Sequence, residues 1–306
     1  MNNAPSRRRW HTIPRRLWPC LIAEYCFVRL LHRNHWPFWS EKRFRRQSRF
    51  LLRHHQTRDL FRHIEYGFAE WAVNLQSGNA LLDVGTGHTV FAGYLAQQVP
   101  CRLMALDYDR YCEEFQRNFH AGLQLKDARV VFADATNSGL PAESFDRILA
   151  VSVIEHFPGD GDTRFMKEAA RLLRTGGRLV VTVPALRDYQ ENERVVHYHG
   201  FERRYNAQAL QDRLIGPSGL KAKCLYYILR RENGLTARFL RKYYPDLNHF
   251  FGAWYQSGNN LTFERCSHIL TRTFLDIGES PDGTEIGALL LLEKTDTGQD
   301  LQDLQD

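Results

Sequence analysis

In the run NALLDVGTGHTVF (79–91), Asp83, Gly85 and Gly87 occupy alternate positions directly after the apolar stretch Ala80–Leu82. The pattern is that of a strand entering a tight turn. Glycines let the backbone fold back and approach a ligand with no Cβ in the way, and here a carboxylate stands just before them. Three ligand chemistries compete for such a turn. A phosphate-binding loop needs Gly-Lys-Ser/Thr, and GHTVF has none. A dinucleotide fingerprint places a further glycine where Val90 stands. The Asp83 carboxylate repels a pyrophosphate but suits a cation, such as the ammonium group of a sulfonium ligand.

Elements must hold that turn in place, and the chain alternates between two periodicities. Apolar runs predict strands over Ala80–Val84, Arg102–Leu106, Arg129–Ala133, Arg147–Val151 and Arg178–Val183. Helical spacing fills the intervals Val90–Gln98, Asp109–His120 and Thr163–Arg174, the last ending at Gly176-Gly177. A further amphipathic helix begins near Asp59 and places Leu60, Phe61, Ile64, Phe68, Trp71 and Ala72 on one side. Such a βαβ series folds as a parallel sheet covered on both faces, with right-handed crossovers. Ligands of these sheets sit beyond the carboxyl ends of the strands, where strand order reverses. The turn at 85–87 is the first such end.

LLDVGTG (81–87) resembles motif I of the class I S-adenosylmethionine-dependent methyltransferases, in particular the type 11 group that acts on small molecules. RLMALDYD, VVFADATNSGLPAESFDRILAVSVIEHF, LLRTGGRLVVTVP, HYHGFERRYNAQALQDRLIGPSGLKAKCLYY and EIGALLLLEK match later pieces of the family in order, so the resemblance covers roughly residues 60–227 and 285–294. It implies an α/β, Rossmann-like, seven-stranded and mostly parallel sheet with helices on both faces. The cofactor it implies is S-adenosyl-L-methionine, held by Asp83, Gly85, Thr86 and Gly87, by Asp107 and Tyr108, by Asp134 and Ala135, and by Ser152. In the family the acid at Asp107 grips both ribose hydroxyls, a task for a pure acceptor. Asp134 and Ala135 correspond to the adenine-contacting pair, and Ser152 to Glu155 line the mouth of the pocket. Thr89 departs from the pattern, standing where many members have a third glycine.

The acceptor is narrowed by absences. After the fourth strand there is no Asn/Asp-Pro-Pro-Tyr/Phe, the signature of enzymes that methylate base amino groups, and no cysteine for covalent cytosine chemistry. VIEHF is common in enzymes that act on small molecules, quinones, lipids and sugars. A Glu-His pair preceded by a further Glu helps bind a metal in some relatives; Ser152 takes that Glu's place here, so the expected reaction is metal-independent. His156, His199 and Tyr205 are the candidate proton acceptors, with His197 beside them; capping or ordering the loop is the alternative for His156, and polar surface for the other three.

The net charge of +6 is unevenly spread: residues 1–58 carry fourteen Arg and Lys against two acids, or +12, leaving −6 for the rest. Arginines interleaved with Trp, Phe and Leu suit an anionic membrane surface, the phosphates and bases of a nucleic acid, or a packed arm with solvated charges. Its most apolar part, Leu17–Leu31, contains Pro19, Glu24 and Arg29, too short and polar for a membrane span. Six scattered cysteines without a Cys-x-x-Cys pair point to reduced thiols in the cytoplasm. The expected organisation is a basic arm (1–58), a cofactor-binding core (59–227), a specificity insertion (228–284), the last core strand (285–294) and an acidic tail (295–306). Tyr243, Tyr244, Phe250, Phe251, Trp254 and Tyr255 in the insertion would wall an acceptor pocket or pack its own small core. Three functions stay open. One is a methyltransferase for a small-molecule, glycan or lipid-linked acceptor, at oxygen, peripheral on the inner face of a membrane through its arm. The others are an RNA methyltransferase tethered by the arm and a cofactor-binding partner module without activity.

Overall fold

The computed structural model of the chain describes residues 36–38, 40–54, 60–193, 200–231, 271–272 and 275–296. The chain divides into two compact units, residues 64–230 with 276–306 and residues 1–63 with 231–275. The first is built on an eight-stranded sheet in the order β3-β2-β1-β4-β5-β10-β8-β9. Its strands are β1 (Ala80–Val84), β2 (Arg102–Asp107), β3 (Ala128–Phe132), β4 (Phe145–Val151), β5 (Leu173–Val183), β8 (Lys221–Arg230), β9 (Leu275–Gly278) and β10 (Glu285–Glu293). A separate hairpin is formed by β6 (Gln190–Asn192) and β7 (Glu202–Arg204). Strands β1 to β5 pair in parallel, while β10 runs antiparallel to both β5 and β8.

The parallel half follows from the apolar runs. Alternate residues Leu82, Ile148, Val181 and Leu290 join one core with Phe165 and Met166. Their sequence neighbours Leu81, Leu149 and Val180 are equally buried, as strands covered on both faces require. Helix α2 (Leu60–Val73) precedes β1 in the chain. Helices α3 (Phe91–Gln98), α4 (Glu113–Gly122) and α5 (Gly161–Leu172) supply the crossovers β1–β2, β2–β3 and β4–β5. Between β1 and β4 the strand order reverses, so the ends of these two strands flank the expected ligand crevice.

Two features depart from the expected fold. An eighth strand, β9, joins the sheet beside β8 from within the segment expected to be an insertion. The helix expected to run to Arg174 ends at Leu172, because Leu173 already pairs with Phe145 of β4. The double glycine is instead an excursion inside β5: Gly176 has φ +75°, and a Cβ on Gly177 would lie 2.7 Å from the Arg174 carbonyl oxygen.

In the other unit, helix α1 (Glu41–Arg53) buries Phe44, Gln47, Ser48 and Leu51 and exposes Lys42, Arg45, Arg46, Arg49 and Arg53. The Ser48 hydroxyl lies 3.4 Å from Nδ1 of the buried His63, whose ring sits 4.9 Å from Phe44. Residues 1–35, the six aromatics between Tyr243 and Tyr255, His197, His199 and the tail beyond 296 lie outside the described residues. No described helix is long and apolar enough to cross a membrane.

Candidate functional site

The turn after β1 is tied down by its own backbone. Gly85 and Thr86 both donate their N–H groups to the Leu106 carbonyl of β2, at 2.8 and 3.2 Å. Gly85 (φ +65°) and Gly87 (φ +48°) adopt left-handed conformations that suit glycine. Gly85 is required on a second count, since a Cβ there would lie 2.0 Å from Cγ2 of Val153. Thr89, in the place of the third glycine, donates its hydroxyl to the Thr86 carbonyl and closes the turn from within.

Two carboxylates flank this turn. Asp107, at the end of β2 and 8% exposed, accepts the Gly87 N–H on Oδ2 at 2.8 Å and the Asp109 N–H on Oδ1 at 3.0 Å. An ionised carboxylate has about four lone-pair sites, so each oxygen retains capacity for a ligand hydroxyl. Asp83, at 6% exposure, has its Oδ2 buried with no hydrogen-bond partner. Burial raises its pKa to about 7, with repulsion from Asp107 adding to the shift and a hydrogen bond with Thr86 opposing it. A buried, unpartnered carboxylate oxygen is costly. A cationic ligand group beside it would supply the missing partner, so the residues fit the ammonium of S-adenosylmethionine.

The remaining expected contacts line the adjoining strand ends. Tyr108 and Tyr111 are 75% and 58% exposed, the two large exposed apolar side chains among the described residues. The Tyr111 hydroxyl lies 2.9 Å from where a Cβ on Gly87 would stand. Beyond β3, exposed Asp134 accepts the Thr136 N–H on Oδ1 at 2.8 Å and Ala135 is buried. The Thr136 hydroxyl oxygen is buried without a partner, a second unsatisfied polar atom beside the expected adenine contacts.

Two buried polar side chains support the site without having been singled out in the sequence. Gln116 on α4 donates Nε2 to the carbonyls of Gly87 and Thr89, both at 2.8 Å, and so braces the turn from below. Glu65 on α2 accepts hydroxyl hydrogen bonds from Ser152 after β4 and Thr182 on β5. The signal for Glu65 was an acid on the same helical stripe as Phe61, Phe68 and Ala72; Gln116 carried none.

The candidate proton acceptors part company. His156 places Nδ1 2.9 Å from the Phe201 carbonyl. A carbonyl can only accept, so Nδ1 carries the proton and Nε2 is the basic nitrogen, 3.8 Å from the buried Glu155 Oε1. Tyr205 is fully buried and donates its hydroxyl to Asp162 at 2.8 Å. Burial and the Asp162 charge hold its pKa well above the ordinary tyrosine value, the opposite of what a base needs. Asp162 also takes a two-point pair from Arg213 and, at 3.1 Å, the fully buried Arg203. Arg203 donates in turn to the carbonyls of Phe157 and Gly159, which pins the loop after His156. Among the described residues no three His, Cys, Asp or Glu side chains gather as metal donors would.

Residues 82–181 match the family model described as a methyltransferase domain. Methyltransferase GfsG of Streptomyces halstedii is 32% identical over 141 residues, 45% of this chain and 50% of that one. A phthiotriol/phenolphthiotriol dimycocerosates methyltransferase of Mycobacterium ulcerans (strain Agy99) is 34% identical over 107 residues, 35% of this chain and 38% of that one. The chain thus spans half or less of the curated relatives it matches. Among solved structures, the [4+2]-cyclase SpnF superposes with a TM-score of 0.51 at 17% identity, over 75% of this chain and 80% of that one. The geranyl diphosphate C-methyltransferase of Streptomyces coelicolor A3(2) gives 0.51 at 12% identity, over 76% and 81%. These two likenesses concern the fold alone.

Proposed function

We propose that the chain is a class I S-adenosylmethionine-dependent methyltransferase that methylates a small-molecule, glycan or lipid-linked acceptor at oxygen; the match of residues 82–181 to a methyltransferase domain and the likeness to named methyltransferases support the reading. The observation that carries the cofactor site is the unpartnered Asp83 oxygen beside the glycine turn. In this reading Asp83 binds the ammonium group, Asp107 the ribose hydroxyls, and Asp134 with Ala135 the adenine. Tyr108 and Ser152 border the same ligand, and Gly85, Thr86 and Gly87 bring the backbone up to it. S-adenosyl-L-methionine supplies, when bound, an electrophilic methyl group on a sulfonium.

The protein's own share is to hold the acceptor in line and to receive its proton. His156 is our candidate for that step, because the Phe201 carbonyl fixes its tautomer and leaves Nε2 basic. Tyr205 has no part in it, since its hydroxyl is committed to Asp162. A hydroxyl acceptor would lose its proton to Nε2 as its oxygen takes the methyl group, with Glu155 stabilising the resulting imidazolium. The relative from Mycobacterium ulcerans bears the name of a phthiotriol/phenolphthiotriol dimycocerosates methyltransferase, which supports a lipid-linked acceptor. The exposed basic face of α1 supports peripheral contact with an anionic membrane.

Radiolabelled S-adenosylmethionine incubated with this protein and fractionated lysate tests the whole reading. Label in the organic-soluble or small-molecule fraction is expected. Label confined to RNA would replace the acceptor class, and tight cofactor binding with no label in any fraction would favour a partner module.

A further inference from the structure

Ser152 has φ +48°, in the left-handed region, although it is not a glycine. A Cβ in that region crowds the following carbonyl oxygen, and such strain persists where the surroundings impose it. Three other described non-glycine residues share it: Asn74 and Gln124 follow the ends of helices, and Glu143 lies in the loop before β4. Ser152 instead follows directly on β4, at the point where strand order reverses.

What imposes the conformation is visible. The Ser152 N–H donates to the Thr182 carbonyl at 2.9 Å and lies 3.1 Å from the Thr182 hydroxyl. Ser152 Oγ and Thr182 Oγ1 both donate to Oε1 of Glu65. Glu65 and Thr182 have no exposed surface. A single carboxylate from α2 therefore grips the ends of β4 and β5 through two hydroxyls. The residue after Ser152 completes the chain of contacts, because Val153 presses on Gly85 so closely that no Cβ fits between them.

We propose that Glu65 is a positioning residue for the cofactor turn. It holds Ser152 in the left-handed backbone, and that backbone sets Val153 against Gly85, which fixes the turn whose Gly87 N–H meets Asp107. Glu65 has no exposed surface, so it acts on the turn through the Ser152 hydroxyl and not by touching the ligand. The inference rests on the assignment of S-adenosylmethionine to this turn.

Calorimetric titration of the full chain with S-adenosylhomocysteine, alongside melting temperatures, tests it. Glu65→Leu should weaken binding about tenfold, the scale set by backbone that leaves its strained well. Glu65→Gln keeps an acceptor oxygen in the same place and should stay within about threefold of the parent protein. The deciding variant is Glu65→Leu combined with Ser152→Gly. Ser152 borders the ligand itself, so the reference is Ser152→Gly alone: glycine adopts φ +48° without strain, and the double variant should bind as tightly as Ser152→Gly alone even where its melting temperature stays low. A mere packing role for residue 65 would not be mended by a glycine at 152.

The proposal is overturned if Glu65→Leu binds like the parent, or if adding Glu65→Leu to Ser152→Gly weakens binding by the same factor as it does in the parent. Should Glu65→Leu not fold, Ser152→Ala removes the hydroxyl that Glu65 holds while keeping the Cβ, so it should bind more weakly than Ser152→Gly; equal affinity of the two would overturn the proposal. If the parent protein itself ignores S-adenosylhomocysteine, the cofactor assignment falls and this inference falls with it.

Discussion

Gly87 donates its backbone N–H to Oδ2 of Asp107 across 2.8 Å, so the carboxylate ending β2 is also a strut for the turn that follows β1. Asp107→Ala would thus lose its ligand contacts and loosen the glycine turn together. Charge-assisted hydrogen bonds are worth about 1.5–3 kcal/mol each, and with water compensating in part we expect binding of S-adenosylhomocysteine to weaken roughly 10–100-fold. Asp107→Asn, which keeps one acceptor oxygen, should lose less. Unchanged affinity in Asp107→Ala by calorimetry would remove this residue from the site.

Asp83 makes binding and stability depend on pH in opposite directions. Burial lifts its pKa from 3.8 to about 7, so the ligand-free protein keeps a proton that the unfolded chain releases. The folded state then binds more protons than the unfolded state across that interval, and stability falls as pH rises from about 4 to about 7 and levels off above. The ammonium of the cofactor prefers the ionised carboxylate, so affinity should rise through the same range and binding near neutrality should release a proton. Titrations in two buffers of different ionisation enthalpy measure that release. Asp83→Asn should abolish it and flatten the stability profile.

The strand ends and their carboxylates were legible in the sequence because they are local: an apolar run, an acid and two glycines lie within one short stretch. Glu65 was not, because its hydroxyl partners lie 87 and 117 residues away and only the closed sheet brings them together. Gln116 escaped notice for the same reason, its carbonyl partners lying 29 and 27 residues back. Tyr205 reads as a candidate proton acceptor in the sequence because it follows the fifth strand in a polar segment. The β6–β7 hairpin and the Asp162–Arg203 pair, fully buried on both sides, turn it inward instead. The eighth strand was missed because Leu275–Gly278 is short and separated from its neighbour β8 by a long intervening segment.

Gln116 offers a test of the turn that leaves both carboxylates in place. Gln116 is 1% exposed and donates to the carbonyls of Gly87 and Thr89. Gln116→Leu is close in size but leaves those buried acceptors unpaired, at about 1–3 kcal/mol. We expect a lower melting temperature and affinity for S-adenosylhomocysteine reduced about 5–20-fold as the turn loosens. Full stability combined with full affinity would mean the brace is dispensable.

The buried Asp162 cluster should separate structure from chemistry. Asp162→Ala leaves the Tyr205 hydroxyl unpaired and takes one carboxylate from the buried Arg203, which keeps Glu191 at 3.0 Å and the Phe157 and Gly159 carbonyls, so the cost should not exceed the about 3–5 kcal/mol of breaking a buried pair outright. Tyr205→Phe removes one hydrogen bond only, at about 1 kcal/mol, and should leave the pH profile of methyl transfer unchanged once an acceptor is in hand. His156→Gln should instead abolish the acidic limb of that profile while S-adenosylhomocysteine still binds. The reverse outcome, with Tyr205→Phe inactive and His156→Gln active, would exchange the two roles.

The charged face of α1 makes the membrane contact testable without cutting the chain. Phe44 and Leu51 are buried, so deletion through this helix would disturb packing as well as charge. Lys42, Arg45, Arg49 and Arg53 are exposed, and all four can be changed to Gln together. Each basic residue near an anionic bilayer contributes about 1 kcal/mol, so the quadruple variant should partition onto phosphatidylserine vesicles up to about a thousandfold more weakly. Salt should have a similar effect on the parent protein, since charges at an exposed surface are screened over about 8 Å at physiological ionic strength. Affinity for S-adenosylhomocysteine should be untouched, because none of the four belongs to the cofactor site. Vesicle binding that ignores both the substitutions and salt would refute an electrostatic anchor. A parent protein that leaves vesicles alone but retards RNA in a gel, with the retardation lost in the quadruple variant, would assign this face to a nucleic acid.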